Sequence, residues 1–264
     1  MTVAGQRQVP IRQGHMAMTT WGDGGDPVVL LHPLALCGEL WRPLGSALAD
    51  EFTVYGPDLR GHGGTSWDGA EFGIADMAAD LADALDTLAS GPVHLLGMSM
   101  GGGVAMTYAA QHPDRVRSLV LADTTAWYGP DAPKAWADRA EKAATVPRAK
   151  QVGFQVDRWF SDPFRESHPD EVRRVVDLFV ATDSAAHAAA CRAMGALDAR
   201  DLLASITAPT LVLVGEQDYA TPPAMAEQLA AGIPGATLRV LPGLRHMALI
   251  EQPALAGTVR EFCR

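Results

Sequence analysis

The sequence predicts an α/β fold, a mostly parallel sheet covered by helices on both faces and interrupted once by a helical insertion. Three observations carry this. Short apolar runs such as "PVVLLHP" (Pro27 to Pro33) and "PVHLLG" (Pro92 to Gly97) lack the in-out alternation of a half-solvated strand, so they read as strands buried on both faces. Segments with helical spacing lie between them, which is the rhythm of strand–helix–strand units. From about Trp127 to about Thr207 the strand-like runs stop, and alanine-rich, charged, helix-like sequence takes over.

Taken in order, "PVVLLHP" is followed by "FTVYGPD" (Phe52 to Asp58), then by "DMAADLADALDTLA" (Asp76 to Ala89). In the last of these, Met77, Leu81, Leu85 and Leu88 recur at helical spacing. "PVHLLG" comes next, then a helix beginning near Ser99, then "VRSLVLADT" from Val116. Pro133, Pro147, Pro163 and Pro169 divide the insertion into separate helices. "APTLVLVGEQD" (Ala208 to Asp218) and "ATLRVLPGLRH" (Ala236 to His246) restore the strand-then-loop rhythm. The expected division is a core of residues 1–126 and 208–264 and an inserted unit of residues 127–207. No internal repeat is present.

Composition narrows the function classes. A formal net charge of −10 disfavours nucleic acid and anionic membrane as partners, since both would be repelled. Hydrophobic residues make up 48% of the chain, enough for a large core, yet no run approaches the length of a membrane span. The first residues, "MTVAGQRQVPIRQG", lack the apolar stretch of a secretion signal. The three cysteines, Cys37, Cys191 and Cys263, are widely spaced and fit neither a disulfide framework nor a metal finger. A cytoplasmic protein acting on a small molecule is the expectation, with homo-oligomerisation left open.

The chemistry concentrates at "HLLGMSMGGGVAM" (His94 to Met106). Within it "GMSMG" is a G-x-S-x-G pattern between a buried strand and a helix, the setting of a strained turn that exposes a nucleophilic serine. The same pentapeptide also fits a glycine-rich turn with a helix-capping serine. A serine hydroxyl attacks poorly at neutral pH without a histidine base and a carboxylate to orient it. Asp218 and His246 supply both in the order serine, acid, histidine, and each follows a strand. Asp123 is a rival acid. His32, His62, His94 and His112 precede the acid and are disfavoured as base; His62 suits a turn-supporting role. Developing oxyanion charge needs two backbone N–H donors, expected from Met100 and Leu34, because Pro33 has no N–H to give.

These residues resemble the α/β-hydrolase superfamily over nearly the whole chain, through "LLHP", "DLRGHGGTS", "GMSMGG", "HPDRVRSLVLADT" and "PTLVLVGEQD" in that order. Among its branches the chain is most similar to 3-oxoadipate enol-lactonases, through "DRWF" (Asp157 to Phe160), "ATPP" (Ala220 to Pro223) and "HMALIEQP" from His246. The resemblance implies an eight-stranded sheet with a helical cap after its sixth strand. It also implies Ser99 as nucleophile, Asp218 as acid, His246 as base, and hydrolysis of an ester or lactone with neither metal nor organic cofactor. Where enol-lactonases carry an Arg-Asp pair in the last cap helix, this chain has Gly195 and Ala196, with Arg192 one turn earlier.

The cap is expected to choose the substrate through Trp127, Trp136, Trp159, Phe160 and Phe164, with Arg158, Arg165 and Arg192 as candidates for a substrate carboxylate. Two rival readings keep the fold. One is a carbon–carbon bond hydrolase or general carboxylesterase using the same three residues. The other is a non-catalytic, ligand-binding member, because a fold does not fix a function.

Overall fold

In the computed structural model, which describes residues 5–89 and 91–264, eight strands form one sheet in the order β1-β2-β4-β3-β5-β6-β7-β8. The chain runs through β1 (Gly5–Ile11), β2 (Gly14–Trp21), β3 (Pro27–Leu31), α1 (Arg42–Leu48), β4 (Thr53–Pro57), α2 (Ile74–Leu88), β5 (Val93–Met98), α3 (Met100–Gln111) and β6 (Val116–Ala122). Five helices follow without an intervening strand: α4 (Ala132–Thr145), α5 (Arg148–Trp159), α6 (Asp162–Ser167), α7 (Pro169–Ala181) and α8 (Ser184–Gly195). The chain closes with β7 (Thr210–Gly215), α9 (Pro223–Gly232), β8 (Thr237–Leu241), α10 (Ala248–Glu251) and α11 (Leu255–Phe262).

The six strands read from the sequence are β3 to β8. The apolar runs of β3 to β7 are buried, as in β5 and β7, where every residue is covered, whereas β8 at the far edge is mostly exposed and buries only Leu241. The hairpin β1–β2 escaped that reading. It pairs antiparallel at the sheet's edge, and most of β1 is exposed, with only Val9 and Ile11 turned inward. An edge strand that needs so few apolar residues leaves little trace in a hydrophobicity pattern, and Pro10 is tolerated there because an edge can spare an N–H. The prolines of the insertion mark helix starts. Pro133, Pro163 and Pro169 lie in first turns and Pro147 caps α5, where a missing N–H costs nothing.

Register decides where the loops meet. Leu31 pairs with Gly97, Met98 with Ala122, Ala122 with Leu213 and Gly215 with Leu241. The parallel strands therefore end in line, and the loops after β3, β5, β6, β7 and β8 share one rim, the edge at which such sheets place ligands. The insertion stands between β6 and β7, so it rises from that rim. Its two ends are stitched together by a bridge between Trp127 and Asp198 and by a hydrogen bond of 2.9 Å from Ala199 N–H to the Ala126 carbonyl. Among the described residues, no helix is long and apolar enough to cross a membrane. All three cysteines are free thiols, and burial pushes each up to about 11.

Candidate active site

Ser99 is the single residue between β5 and α3, at φ 52°, ψ −116°. Side chains other than glycine rarely adopt that backbone, at a cost of about 1–3 kcal/mol. The surroundings hold it there: Ser99 N–H donates to Ala122 of the neighbouring strand at 3.0 Å, and the Ser99 carbonyl accepts from Thr124 Oγ1 at 2.7 Å. Three glycines are required by close approach, among them Gly102, where a Cβ would stand 2.3 Å from Thr124 Oγ1. A Cβ on Gly97 would stand 2.3 Å from the Gly101 carbonyl oxygen, and one on Gly101 would stand 2.3 Å from that of Leu31. Gly103 has no such need, since its nearest neighbour would be a leucine methyl at 3.3 Å.

The three residues expected to act together do meet. Ser99 Oγ lies 3.0 Å from His246 Nε2, and His246 Nδ1 lies 2.8 Å from Asp218 Oδ2. All three are buried. The carboxylate is held hard: its Oδ1 accepts from the N–H groups of Ala220 and Thr221 at 2.7 and 3.0 Å, and Oδ2 accepts from Thr221 Oγ1 at 2.7 Å. Burial works against charge on Asp218, but the adjoining His246 and the hydrogen bonds from His246 and Thr221 outweigh it and hold its pKa below the usual carboxylate value. With Asp218 ionised, Nδ1 of the ring carries the proton, which leaves Nε2 able to accept one from Ser99.

Asp123, the rival acid, lies at the same rim, fully buried and at φ 47°. It accepts from Gly215 N–H at 2.9 Å and from Ala248 N–H at 3.2 Å, so it joins the end of β7 to the segment beyond His246, while the imidazole's hydrogen bonds go to Asp218 and Ser99. Burial, reinforced by the Asp218 charge, drives its pKa well above the usual range. The pKa values of these two neighbouring carboxyl groups are thus displaced in opposite directions, Asp218 downward by its histidine and hydrogen bonds and Asp123 upward by burial.

The loop after β3 is braced from beneath by two histidines. His32 Nε2 accepts from Leu59 N–H at 2.9 Å while Nδ1 donates to the Pro33 carbonyl at 2.8 Å. His62 Nε2 accepts from Ala35 N–H at 3.2 Å. Between these fixed points, the buried Leu34 and, across the rim, the buried Met100 donate their N–H groups to no partner among the described residues. Burial lowers His32 to about 4 and His62 to about 3, so both are neutral at pH 7.

A depressed histidine pKa favours the folded state above the free value of 6.5 and is lost as pH falls through the folded values of about 4 and about 3. Each ring should therefore add about 1.4 kcal/mol per pH unit to the loss of stability between pH 6 and 5. Urea unfolding at several pH values checks this. His62→Gln is expected to remove one ring's share of the slope, and an unchanged slope would contradict the assignment.

Above the rim is a cavity of about 510 Å³, with Ser99, His246 and Leu34 on its floor and α4 and α5 forming its walls. Of the residues expected to contact substrate, Trp136, Trp159 and Arg158 line it. Three do not. Phe160 is fully buried in a cluster with Trp159 and Phe164, because its turn is drawn into the junction between insertion and core. Trp127 belongs to the stitched neck, its ring covered by the Arg200 guanidinium at 3.8 Å. Arg192 points away and forms an ion pair with Glu71 at 2.5 Å. Arg165 is likewise engaged, with Asp157 and Asp162, and Phe164 stacks between Phe160 and His168.

Sequence reasoning passed over Tyr128, Arg139, Lys142, Phe154 and Gln155, all of which line the cavity. A signal was present: Ala135, Trp136, Arg139 and Lys142 recur at helical spacing, as do Phe154, Gln155, Arg158 and Trp159. Those faces look solvated until α4 and α5 are placed opposite each other. The end of α5 is also clipped to the loop of His246. Met247 N–H donates to the Trp159 carbonyl at 3.0 Å, and Glu251 accepts from Ser161 N–H at 2.9 Å and from Arg245 N–H at 3.0 Å. The "DRWF" and "HMALIEQP" segments are thus a single contact. Among the described residues, no three His, Cys, Asp or Glu side chains gather in a set suited to a metal ion.

An eight-stranded, mostly parallel sheet with a serine on a strained strand-to-helix turn, facing a histidine and a carboxylate at the strand ends, has the layout of an α/β hydrolase. The chain belongs to that family: the sequence pattern of the alpha/beta hydrolase fold matches residues 26–253. It is 30% identical to 3-oxoadipate enol-lactonase 1 of Acinetobacter baylyi over 227 residues, 86% of this chain and 84% of that protein. The crystal structure of the enol-lactonase from Burkholderia xenovorans LB400 superposes with a TM-score of 0.91 at 31% identity, covering 97% of this chain and 99% of that one. A thermophilic esterase from Thermogutta terrifontis superposes with a TM-score of 0.88 at 30% identity, covering 98% and 97%.

Proposed function

We propose that this protein is a serine hydrolase that cleaves a carboxylic ester or lactone through an acyl-enzyme on Ser99. The observation that carries the reading is the unbroken relay from Ser99 Oγ to His246 at 3.0 Å and from His246 to Asp218 at 2.8 Å, opening into a cavity large enough for a small substrate. As Ser99 Oγ attacks the carbonyl carbon, His246 Nε2 takes its proton, and the carbonyl oxygen gathers negative charge opposite the Leu34 and Met100 amides. Collapse breaks the C–O bond, and His246 returns the proton to the departing alkoxide. In a lactone that alkoxide stays tethered to the acyl group. Water, deprotonated by the same ring, then releases the acid and restores Ser99. Preorganised donors of this kind each supply about 3 kcal/mol of transition-state stabilisation.

In this reading residues 127–207 act as a cap over a core of residues 1–126 and 208–264, and Trp136, Trp159 and Arg158 help select the substrate. Within the class, 3-oxoadipate enol-lactone is the first substrate to try, given the similarity to two enol-lactonases. Acid-quenching the protein during turnover of p-nitrophenyl acetate should leave one acetyl group on the peptide containing Ser99 and give a burst of nitrophenol. Turnover with no acyl group on Ser99 would overturn the proposal, and absence of turnover on esters and lactones alike would favour a ligand-binding role.

A further inference from the structure

We propose that Thr182 is a positioning residue for the oxyanion site: its hydroxyl, carried by the insertion, holds the turn that presents the Leu34 amide, so Ser99 acts at full rate only when the insertion is docked there. The inference rests on the reading of Ser99 as nucleophile and of the Leu34 amide as a donor to the oxyanion. Three successive peptide planes lead from Pro33 to Leu36, and each is held by one side chain. The plane that carries the Leu34 N–H also carries the Pro33 carbonyl, which accepts from His32 Nδ1 at 2.8 Å. The next donates the Ala35 N–H to His62 Nε2 at 3.2 Å. The third offers the Ala35 carbonyl, to which Thr182 Oγ1 donates at 2.8 Å. Two of these holds belong to the core, whereas Thr182 reaches in from the end of α7, 147 residues away along the chain. A hydroxyl has one proton to give. Its other acceptor, the Leu178 carbonyl, is farther off at 3.3 Å, so the bond to Ala35 is the stronger.

The turn needs this third hold. Ala35 is buried and sits at φ 60°, a backbone that side chains other than glycine rarely adopt. Among the described residues its carbonyl has no other donor, so without the hydroxyl it would be a buried acceptor left unpaired. Turning the Ala35–Leu36 plane to find a partner would carry the neighbouring Leu34 amide with it. Thr182 is itself fixed from within the insertion. Its N–H donates to the Phe179 carbonyl at 3.3 Å, and that carbonyl also accepts from Arg148, the buried first residue of α5. The Arg148 guanidinium lies over the Phe179 ring at 3.8 Å and donates to His187 Nδ1. Farther along, α5 supplies Phe154, Gln155, Arg158 and Trp159 to the cavity wall. One helix thus faces the substrate space and braces the residue that steadies the oxyanion turn. Arg174, earlier on α7, offers an internal comparison. It donates to the Glu39 and Leu40 carbonyls at 3.0 and 3.1 Å, docking the same helix on the core beyond the Ala35 turn.

The test measures p-nitrophenyl acetate turnover, inhibition by hexyl trifluoromethyl ketone and urea unfolding in wild type, Thr182→Val, Thr182→Ser and Arg174→Met. Thr182→Val keeps the shape and removes the donor. It should lower kcat about 10-fold at nearly constant KM, less than the loss of about 100-fold or more expected when an oxyanion donor is removed outright. Inhibition should weaken by the same factor, because addition of Ser99 to the ketone carbonyl puts its oxygen where the oxyanion forms. Thr182→Ser keeps the hydroxyl and should stay within about 2-fold of wild type in both. Arg174→Met should lose stability in urea while kcat and inhibition hold. The inference is overturned by equal losses of kcat in Arg174→Met and Thr182→Val, by no recovery in Thr182→Ser, or by a Thr182→Val protein that loses only stability. If Thr182→Val does not fold, Thr182→Ala is read by the same criteria, and failure of both to fold overturns the inference. Should wild type neither turn over the ester nor bind the ketone, the hydrolase reading itself fails and the inference falls with it; an active wild type with an indifferent Thr182→Val overturns the inference alone.

Discussion

Replacing Ser99 by alanine should lower kcat on any ester the wild type cleaves by about a million-fold, the loss typical of removing the nucleophile from a serine–histidine–carboxylate set. Among the described residues no other hydroxyl is hydrogen-bonded to His246, and the ring cannot make water as effective an attacker at the same position. The fold should survive, because alanine keeps the backbone hydrogen bonds from Ser99 N–H to Ala122 and from Thr124 to the Ser99 carbonyl. Ser99→Gly should be equally inactive yet melt at a higher temperature than Ser99→Ala, since glycine adopts φ 52° without strain. A steady-state assay with a thermal unfolding curve for each variant measures both. Retained turnover in Ser99→Ala would mean that the chemistry runs elsewhere.

Asp218→Asn should lower kcat by about 10⁴-fold. Asp218 Oδ2 accepts from His246 Nδ1 and Thr221 Oγ1, and an amide nitrogen at that place would face two donors. To escape, His246 would take the tautomer with its proton on Nε2, pointing at Ser99 and unable to accept from it. Asp123→Asn provides the contrast. Asp123 holds the Gly215 and Ala248 amides, one on each carboxyl oxygen, and the amide nitrogen of asparagine would face one of those donors, so the substitution should reduce stability far more than it reduces kcat. Equal losses of kcat in the two variants would reassign the acid. Paired rate and unfolding measurements on both proteins decide it.

Much of this layout is legible along the chain. Strand and helix can be told apart because burial leaves a pattern: β3 and β5 are short continuous apolar runs, while the apolar residues of α2 recur at helical spacing. The serine turn can be located because close approach between Gly97 and Gly101 admits no side chain, so the constraint is written in residue type. The hairpin β1–β2 is faint because exposed edge strands impose few such demands. The substrate-facing residues were legible only in part. Trp136 and Arg158 line the cavity whereas Trp127 and Arg192 do not, and nothing in residue type distinguishes a tryptophan over a cavity from one in a neck, or a free arginine from a paired one.

By itself the sequence determined the fold class, the strained serine turn and the order of serine, acid and histidine, since each is imposed by local geometry or by buried period. Only the tertiary structure decided which acid meets His246, which histidines brace the loop after β3, and which residues of the insertion line the cavity. Those outcomes depend on distances between groups far apart in the chain, and electrostatics in a closed pocket is set by such distances and by loss of water, neither of which a linear pattern encodes.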